Sequence, residues 1–200
     1  MNAKVQNYVQ VNEFGQLYTA VSQWVALSEQ QWQQFAAIFK LRQVEAREFI
    51  VLPGANQHEI IFVNEGLLRF YYIDEEGEEA NKAFIGENEF AGPLASAALG
   101  LPLYFGIQAL EPTQMLVAQY SDYVNLFEQD LVFERLGRKL TETLLVRKEL
   151  RTRSLLQQNA KERYLNFLET YPNLADRIPQ YQLASYLGIA EVSLSRIKNS

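Results

Sequence analysis

Apolar residues recur along the chain with two different periods. In "LSEQQWQQFAAIFKL" (residues 27–41), Trp32, Phe35 and Phe39 share one face of a helix, and Ser28 and Gln31 have the spacing of a capping box. The pattern then shifts to short runs rich in β-branched and aromatic residues: "EFIVLPG", "EIIFVNEG", "LLRFYYIDEEG" and "EEANKAFIG". They close near Gly54, Gly66, Gly77 and Gly86. Such runs with turn glycines predict strands of an all-β sandwich or barrel, and Asp74–Gly77 predicts a hairpin turn. Leu103–Glu111 and Thr113–Ser121 read as two further strands around Pro112.

From Asp122 the period becomes helical and holds to Gln158 without a proline. Phe133, Leu136, Leu140, Leu144 and Leu150 lie near one seam, which Arg147 interrupts. A long helix with a narrow apolar stripe either lies on its own domain or pairs with its twin in a homodimer, and the length favours the twin. Asn159 and Glu162 form a second capping-box spacing, so a new helix starts there and a hinge is expected at 157–159. Tyr164, Leu165 and Leu168 supply its apolar side, and Pro172 stops it.

One stretch fits neither period. Phe90 to Leu110 holds 21 residues without a charge, long enough to raise a membrane span. Gly92, Pro93, Gly100, Pro102 and Gly106 break it too often for a spanning helix, and it reads as strand–turn–strand. The chain has no cysteine, which excludes disulfides and thiolate metal sites. His58, the sole histidine, reads as loop surface rather than a metal or haem ligand, so no metal or cofactor is expected. No nucleophile–base pair is evident, so no enzyme is predicted. Glu75, Glu76, Glu78 and Glu79 read as a solvated cluster around the hairpin turn. The polar N-terminus shows no signal peptide, and a soluble cytoplasmic protein is the expectation.

Charge is unevenly spread. Residues 1–130 carry 6 Lys and Arg against 17 Asp and Glu, and residues 131–200 carry 12 against 7. The basic part is a candidate for polyanions, or simply a solvated basic helix. The last segment, "RIPQYQLASYLGIAEVSLSRIKNS", sharpens this. Pro179 suits a helix start, Leu183, Ala184 and Leu187 form an inner face, and Gly188 permits a left-handed helix end. Ile189 closes the corner, and Val192 or Ser193, Leu194 and Ile197 recur at helical spacing. This is the layout of a helix-turn-helix.

Taken in order, a β-roll with glycine-ended strands, a long helix, a hinge and "IPQYQLASYLGIAEVSLSRIK" resemble the Crp/Fnr family of bacterial transcription regulators. The resemblance runs from about Ser28 to the end. "AKERYLNFLETYPNLADRIPQY" is similar to a compact subgroup that ends just after the recognition helix, with little room for a β-wing. It implies a dimer on double-stranded DNA, at a palindromic site. By position, Arg196, Glu191, Val192 and Ser195 would face bases, with Arg196 suited to guanine and Glu191 to cytosine. Gln180, Tyr181, Ser193 and Lys198 would hold phosphates. Two features depart from the pattern. Ala190 offers no side-chain cap, and residues 160–200 carry only five basic residues against four acidic.

In nucleotide-binding members a Glu just after a Gly takes the ribose, and an Arg–Ser pair takes the cyclic phosphate. Aligned from Gly92, those positions are Pro93, Leu103 and Tyr104. A buried phosphate would find no cation there, so neither cAMP nor cGMP is expected to bind. Leu103, Tyr104 and Phe105 are expected to plug the site. The alternative is a pocket for an unknown apolar small-molecule effector, with Tyr72, Tyr104 and Gln108 as its polar groups.

The predicted class is therefore α+β. It comprises an N-terminal β-roll (a jelly-roll-like double-stranded β-helix) with flanking helices, a long dimerisation helix and a C-terminal all-α helix-turn-helix domain. The expected divisions are 1–129, 130–158 and 159–200. The expected function is a homodimeric, sequence-specific DNA-binding regulator with a degenerate nucleotide pocket. The alternative is an effector-binding or protein-interaction module that has lost DNA recognition.

Overall fold

A computed structural model describes residues 13–199 of the chain; most of the polar N-terminus, and Ser200, lie outside them. Two helices come first, α1 (Gly15–Ser22) and α2 (Glu29–Ala37). The capping box at Ser28 and Gln31 starts α2 as its spacing predicts. Eight strands follow: β1 (Lys40–Val44), β2 (Phe49–Val51), β3 (Glu59–Glu65), β4 (Leu68–Ile73), β5 (Glu79–Ile85), β6 (Phe90–Ala91), β7 (Gly106–Ala109) and β8 (Thr113–Gln119). They form two four-stranded antiparallel sheets, ordered β1-β8-β3-β6 and β2-β7-β4-β5. The last two residues of the stretch read as a helix belong instead to β1, because Lys40 and Leu41 pair with Val117 and Leu116.

The inner strands β3 and β4 are buried on both faces along most of their length, which explains why they read as near-continuous apolar runs, whereas the edge strands β1 and β2 are largely open. Along β3, Ile61 and Val63 point between the sheets, where they meet Phe70, Ile107, Met115 and Val117. Ile60 and Phe62 point outward, onto Leu17, Phe35, Phe133, Leu136 and Leu140 of the helices. The outer face of the second sheet offers Phe84, beside Leu67, to Phe167, Leu183, Leu187 and Leu194 near the C-terminus. Gly66 closes the β3–β4 turn at φ +99°, where an added Cβ would strike Thr113 and the Pro112 carbonyl.

The uncharged stretch is not strand–turn–strand. Between β6 and β7 lies α3 (Leu94–Leu99), an alanine-rich turn of helix closed by Gly100 in the left-handed conformation. Among the described residues no helix is long and apolar enough to cross a membrane.

The helical region after β8 is split. α4 (Tyr120–Asn125) ends, and Asp130 caps a new helix, α5 (Leu131–Gln157), by accepting from the Val132 N–H at 2.9 Å. Phe133, Leu136 and Leu140 are buried against the chain's own first sheet, and Leu144 packs beside them. Four of the five residues assigned to a dimer seam are thus turned inward, and only Leu150 is exposed. Periodicity shows that a helix has an apolar face; it does not say what covers it. Arg147 interrupts the seam because it pairs with Glu89 at 2.7 Å.

Candidate nucleic-acid interface and roll pocket

Gln158 leaves the helical conformation after α5, and Asn159 begins α6 (Ala160–Thr170) with the second capping box. The stretch after Pro172 is irregular but anchored, with Leu174, Ala175 and Ile178 buried. Pro179 precedes α7 (Gln180–Leu187) as its N-cap. Gly188 ends α7 at φ 66°, and the Ile189 N–H bonds back to the Ala184 carbonyl at 3.1 Å. After this turn, α8 (Glu191–Lys198) begins at Ala190 without a side-chain cap.

Leu194 is fully buried and aims α8 into the cluster of Leu183, Ala184, Leu187 and Phe167. The opposite face of α8 is open: Glu191, Val192, Arg196 and Lys198 are exposed, with Ser193 and Ser195 half-buried at its edges. The Arg196 guanidinium makes no ion pair among the described residues, so it does not serve an acidic neighbour. Tyr181 is exposed. Gln180, half-buried, donates to Glu191 at 3.4 Å, which joins the start of α7 to the start of α8.

Sequence reasoning missed how these helices dock. α7 lies on β5, fastened by polar groups drawn from distant parts of the chain. Arg69 of β4 is buried and donates to Gln108 at 2.6 Å, and to Asn81 and Gln182 at 3.2 Å each. It also pairs with Glu79 at 2.6 Å and stacks over Tyr71, so Glu79 is not merely solvated. Asn81 donates to the Gln182 carbonyl at 2.8 Å, and its backbone N–H donates to Ser185. Arg177 bridges Glu87 and Glu111 at 2.7 Å each, which depresses the Glu87 carboxyl below its ordinary range. Arg151 of α5 stacks over Tyr186 and donates to its carbonyl. The available signal was an arginine and an asparagine inside otherwise apolar strands.

In the roll, Pro93 and Leu103 are buried. Leu103 and Phe105 fill the space between the sheets, but Tyr104 between them is 57% exposed and plugs nothing. Gln108 does not face the interior either; it bonds Arg69 and the Arg47 carbonyl on the outer face. His58 is half-buried and meets the Leu101 carbonyl at 2.9 Å. No cluster of metal-ligating side chains occurs among the described residues.

Comparison with known proteins agrees with this architecture. Residues 41–130 match the cyclic nucleotide-binding domain family. No curated protein matches the chain. Among solved structures, FixK2 from Bradyrhizobium japonicum superposes with a TM-score of 0.69 at 20% identity, covering 81% of this chain and 83% of its own. A transcriptional regulator of the Crp/Fnr family from Eubacterium rectale gives 0.67 at 15%, covering 86% and 82%. The catabolite activator protein of Thermus thermophilus gives 0.56 at 19%, covering 90% and 85%. The chain thus carries a cyclic nucleotide-binding-type roll at residues 41–130 and has, as a whole, the fold of the Crp/Fnr regulators.

Proposed function

We propose that the chain is a homodimeric, sequence-specific DNA-binding transcription regulator, cytoplasmic and without enzymatic activity, whose roll binds neither cAMP nor cGMP. In this reading residues 1–129 form the sensor, 130–158 the dimerisation helix and hinge, and 159–200 the DNA-binding unit. The observation that carries it is α8. Leu194 anchors one face while Glu191, Val192 and Arg196 are exposed on the other, and among the described residues no partner claims Arg196. A free arginine on such a helix can fork onto guanine, while Ser193, Lys198, Gln180 and Tyr181 border it as phosphate contacts.

The dimer face moves from the seam read in the sequence. Leu145, Val146, Leu150 and Leu156 are exposed and fall within an arc of about 140° on the side of α5 away from Phe133 and Leu140. Two copies of this stripe would bury each other, and Leu145→Glu with Leu150→Glu should yield a monomer by sedimentation.

The low charge of residues 160–200, five basic against four acidic, favours the second reading, a module that no longer reads DNA. Gel shift on fragments adjoining its own coding sequence separates the two. The regulator reading expects specific binding that weakens steeply with salt, and a loss of about tenfold or more in Arg196→Ala, since one bidentate base contact is worth about 1–3 kcal/mol. Absence of binding at every salt concentration overturns it. Micromolar binding of cAMP or cGMP by calorimetry overturns the degenerate pocket.

A further inference from the structure

The β4–β5 register slips at one place: Phe70 faces Ala83 and Tyr71 faces Asn81, so Lys82 is the extra residue of a bulge. A bulge interrupts the alternation of a strand and re-aims a side chain. Asn81 turns outward to Gln182, while Lys82 turns the other way, onto aromatic rings. Its ammonium sits 3.5 Å from the centroid of the Phe105 ring, 5.6 Å from Phe70 and 5.9 Å from Tyr72. Phe70 and Phe105 are stacked, and Tyr72 meets Phe105 edge-on.

Among the described residues the Lys82 ammonium has no hydrogen bond or ion pair. The charge that acts on it is another cation, Lys148 of α5, which likewise pairs with no carboxylate among the described residues. Ring faces attract an ammonium but do not neutralise it. Burial and Lys148 together push the amine from an ordinary 10.5 down to about 8. The share of free amine at neutral pH rises on the order of a hundredfold. An amine desolvated beside a second cation is an activated nucleophile.

Two features choose its electrophile. Lys82 is half-buried, so the reagent must be small and able to approach without a charge of its own. Lys148 favours a product of negative charge, because a change of sign at Lys82 turns repulsion into attraction. An acyl donor leaves a neutral amide and must also bring a leaving group. Carbon dioxide meets both demands.

We infer that Lys82, half-buried against Phe105 and set near Lys148 without a counter-ion, is a site of reversible carbamylation by carbon dioxide. The amine lone pair attacks the carbon, one C=O π pair moves onto oxygen, and an N–H proton leaves to solvent. The product is a carbamate, R–NH–COO⁻, and one proton, with no oxidant, reductant or cofactor. The carbamate gives Lys148 the counter-ion that the free protein withholds. Such a mark goes beyond the regulator reading and needs no DNA.

The full chain without DNA is incubated with isotopically labelled bicarbonate, which supplies carbon dioxide. The carbamate is fixed by alkylation with triethyloxonium, and peptides are read by mass spectrometry. Lys82 should carry an adduct that saturates with dissolved carbon dioxide. The exposed Lys40 and Lys198 should carry about tenfold less at neutral pH, or lower still. At fixed dissolved carbon dioxide, labelling of Lys82 should rise as pH rises towards about 8, because only the unprotonated amine reacts. Lys148→Met should lower the occupancy of Lys82 severalfold, and Lys148→Arg, which keeps the charge, should retain most of it. Lys82→Arg should abolish the adduct at that position, since a guanidinium stays protonated. No adduct on Lys82, equal labelling of Lys40 and Lys198, or unchanged occupancy in Lys148→Met overturns the proposal. Gel shift is run separately. Carbamylation of a chain that ignores DNA would sink the regulator reading and leave this site standing.

Discussion

Arg69 and Lys82 occupy adjacent strands of one sheet and point to opposite faces of it. Arg69 is 4% exposed, and its guanidinium meets Gln108, Asn81, Gln182 and Glu79. Among the described residues Lys82 meets only aromatic rings and the field of a second lysine. Their side-chain chemistry accounts for the contrast. A planar fork with five donors can knit together groups from three strands and a helix, whereas an ammonium on a flexible stem is a point charge. A buried cation with every donor engaged holds structure together. One without a counter-ion costs stability in the free protein, and such a site is a candidate for function.

The largest effect should come from Arg69→Ala. It strips Gln108, Asn81, Gln182 and Glu79 of one donor at once and removes the stack on Tyr71. Removing one partner from a buried charged network costs about 3 kcal/mol. Urea unfolding of the variant should show that loss. A change below about 1 kcal/mol would mean that the apolar contacts of Phe84, Phe167 and Leu183 alone dock the C-terminal helices, and the contrast between the two cations would lose its structural half.

How far these features could be read from residues alone depends on the range of the interaction that sets them. The capping boxes at Ser28 and Asn159, the turn at Gly77 and the left-handed end at Gly188 are local, and each appears where its spacing places it. The span of α8 was legible to within a residue or so, because Leu194 and Ile197 repeat at helical spacing behind a turn glycine. Helix α1 has no capping side chain and was not seen, and α3 was hidden by the flanking glycines and prolines that read as turns. The faces of Asn81 and Lys82 depend on a bulge, which shifts alternation by one residue without leaving a mark in composition. Arg69, Asn81 and Gln182 are scattered over more than a hundred positions and read singly as surface polar residues; only the tertiary fold brings them together. The seam on α5 failed for the same reason, since Phe133 and Leu140 could face a twin or the chain's own sheet with identical periodicity.

The opposite sign is expected at Lys82. Its folded amine titrates near 8 against an ordinary 10.5, so the unfolded chain binds the proton more tightly. Lys82 therefore lowers stability fully below pH 8, and the penalty is relieved as pH rises from about 8 towards 10.5. Lys82→Met removes the charge and sets a thioether against Phe105, a favourable contact. Unfolding free energy at pH 7 should rise on the order of 2 kcal/mol, and the upward slope between pH 8 and 10.5 should flatten. A destabilised variant with the slope intact would show that the ammonium has a counter-ion in solution, and would break the contrast from its other side.

Glu79→Gln sharpens the comparison at the smallest scale. Among the described residues Glu79 is the one charged partner of Arg69, and its side chain is about a third exposed, at 34%. Solvent screens such a carboxylate, so its share of the network should be about 1 kcal/mol or less. Glutamine keeps an acceptor oxygen for the guanidinium, and the amides of Gln108, Asn81 and Gln182 remain in place. The loss measured by urea unfolding should be well under that of Arg69→Ala and should shrink further in added salt. A loss equal to that of Arg69→Ala would assign the latch to a single ion pair and not to the amide network. The distinction drawn between a many-partnered arginine and an unpaired lysine would then reduce to the presence or absence of one carboxylate.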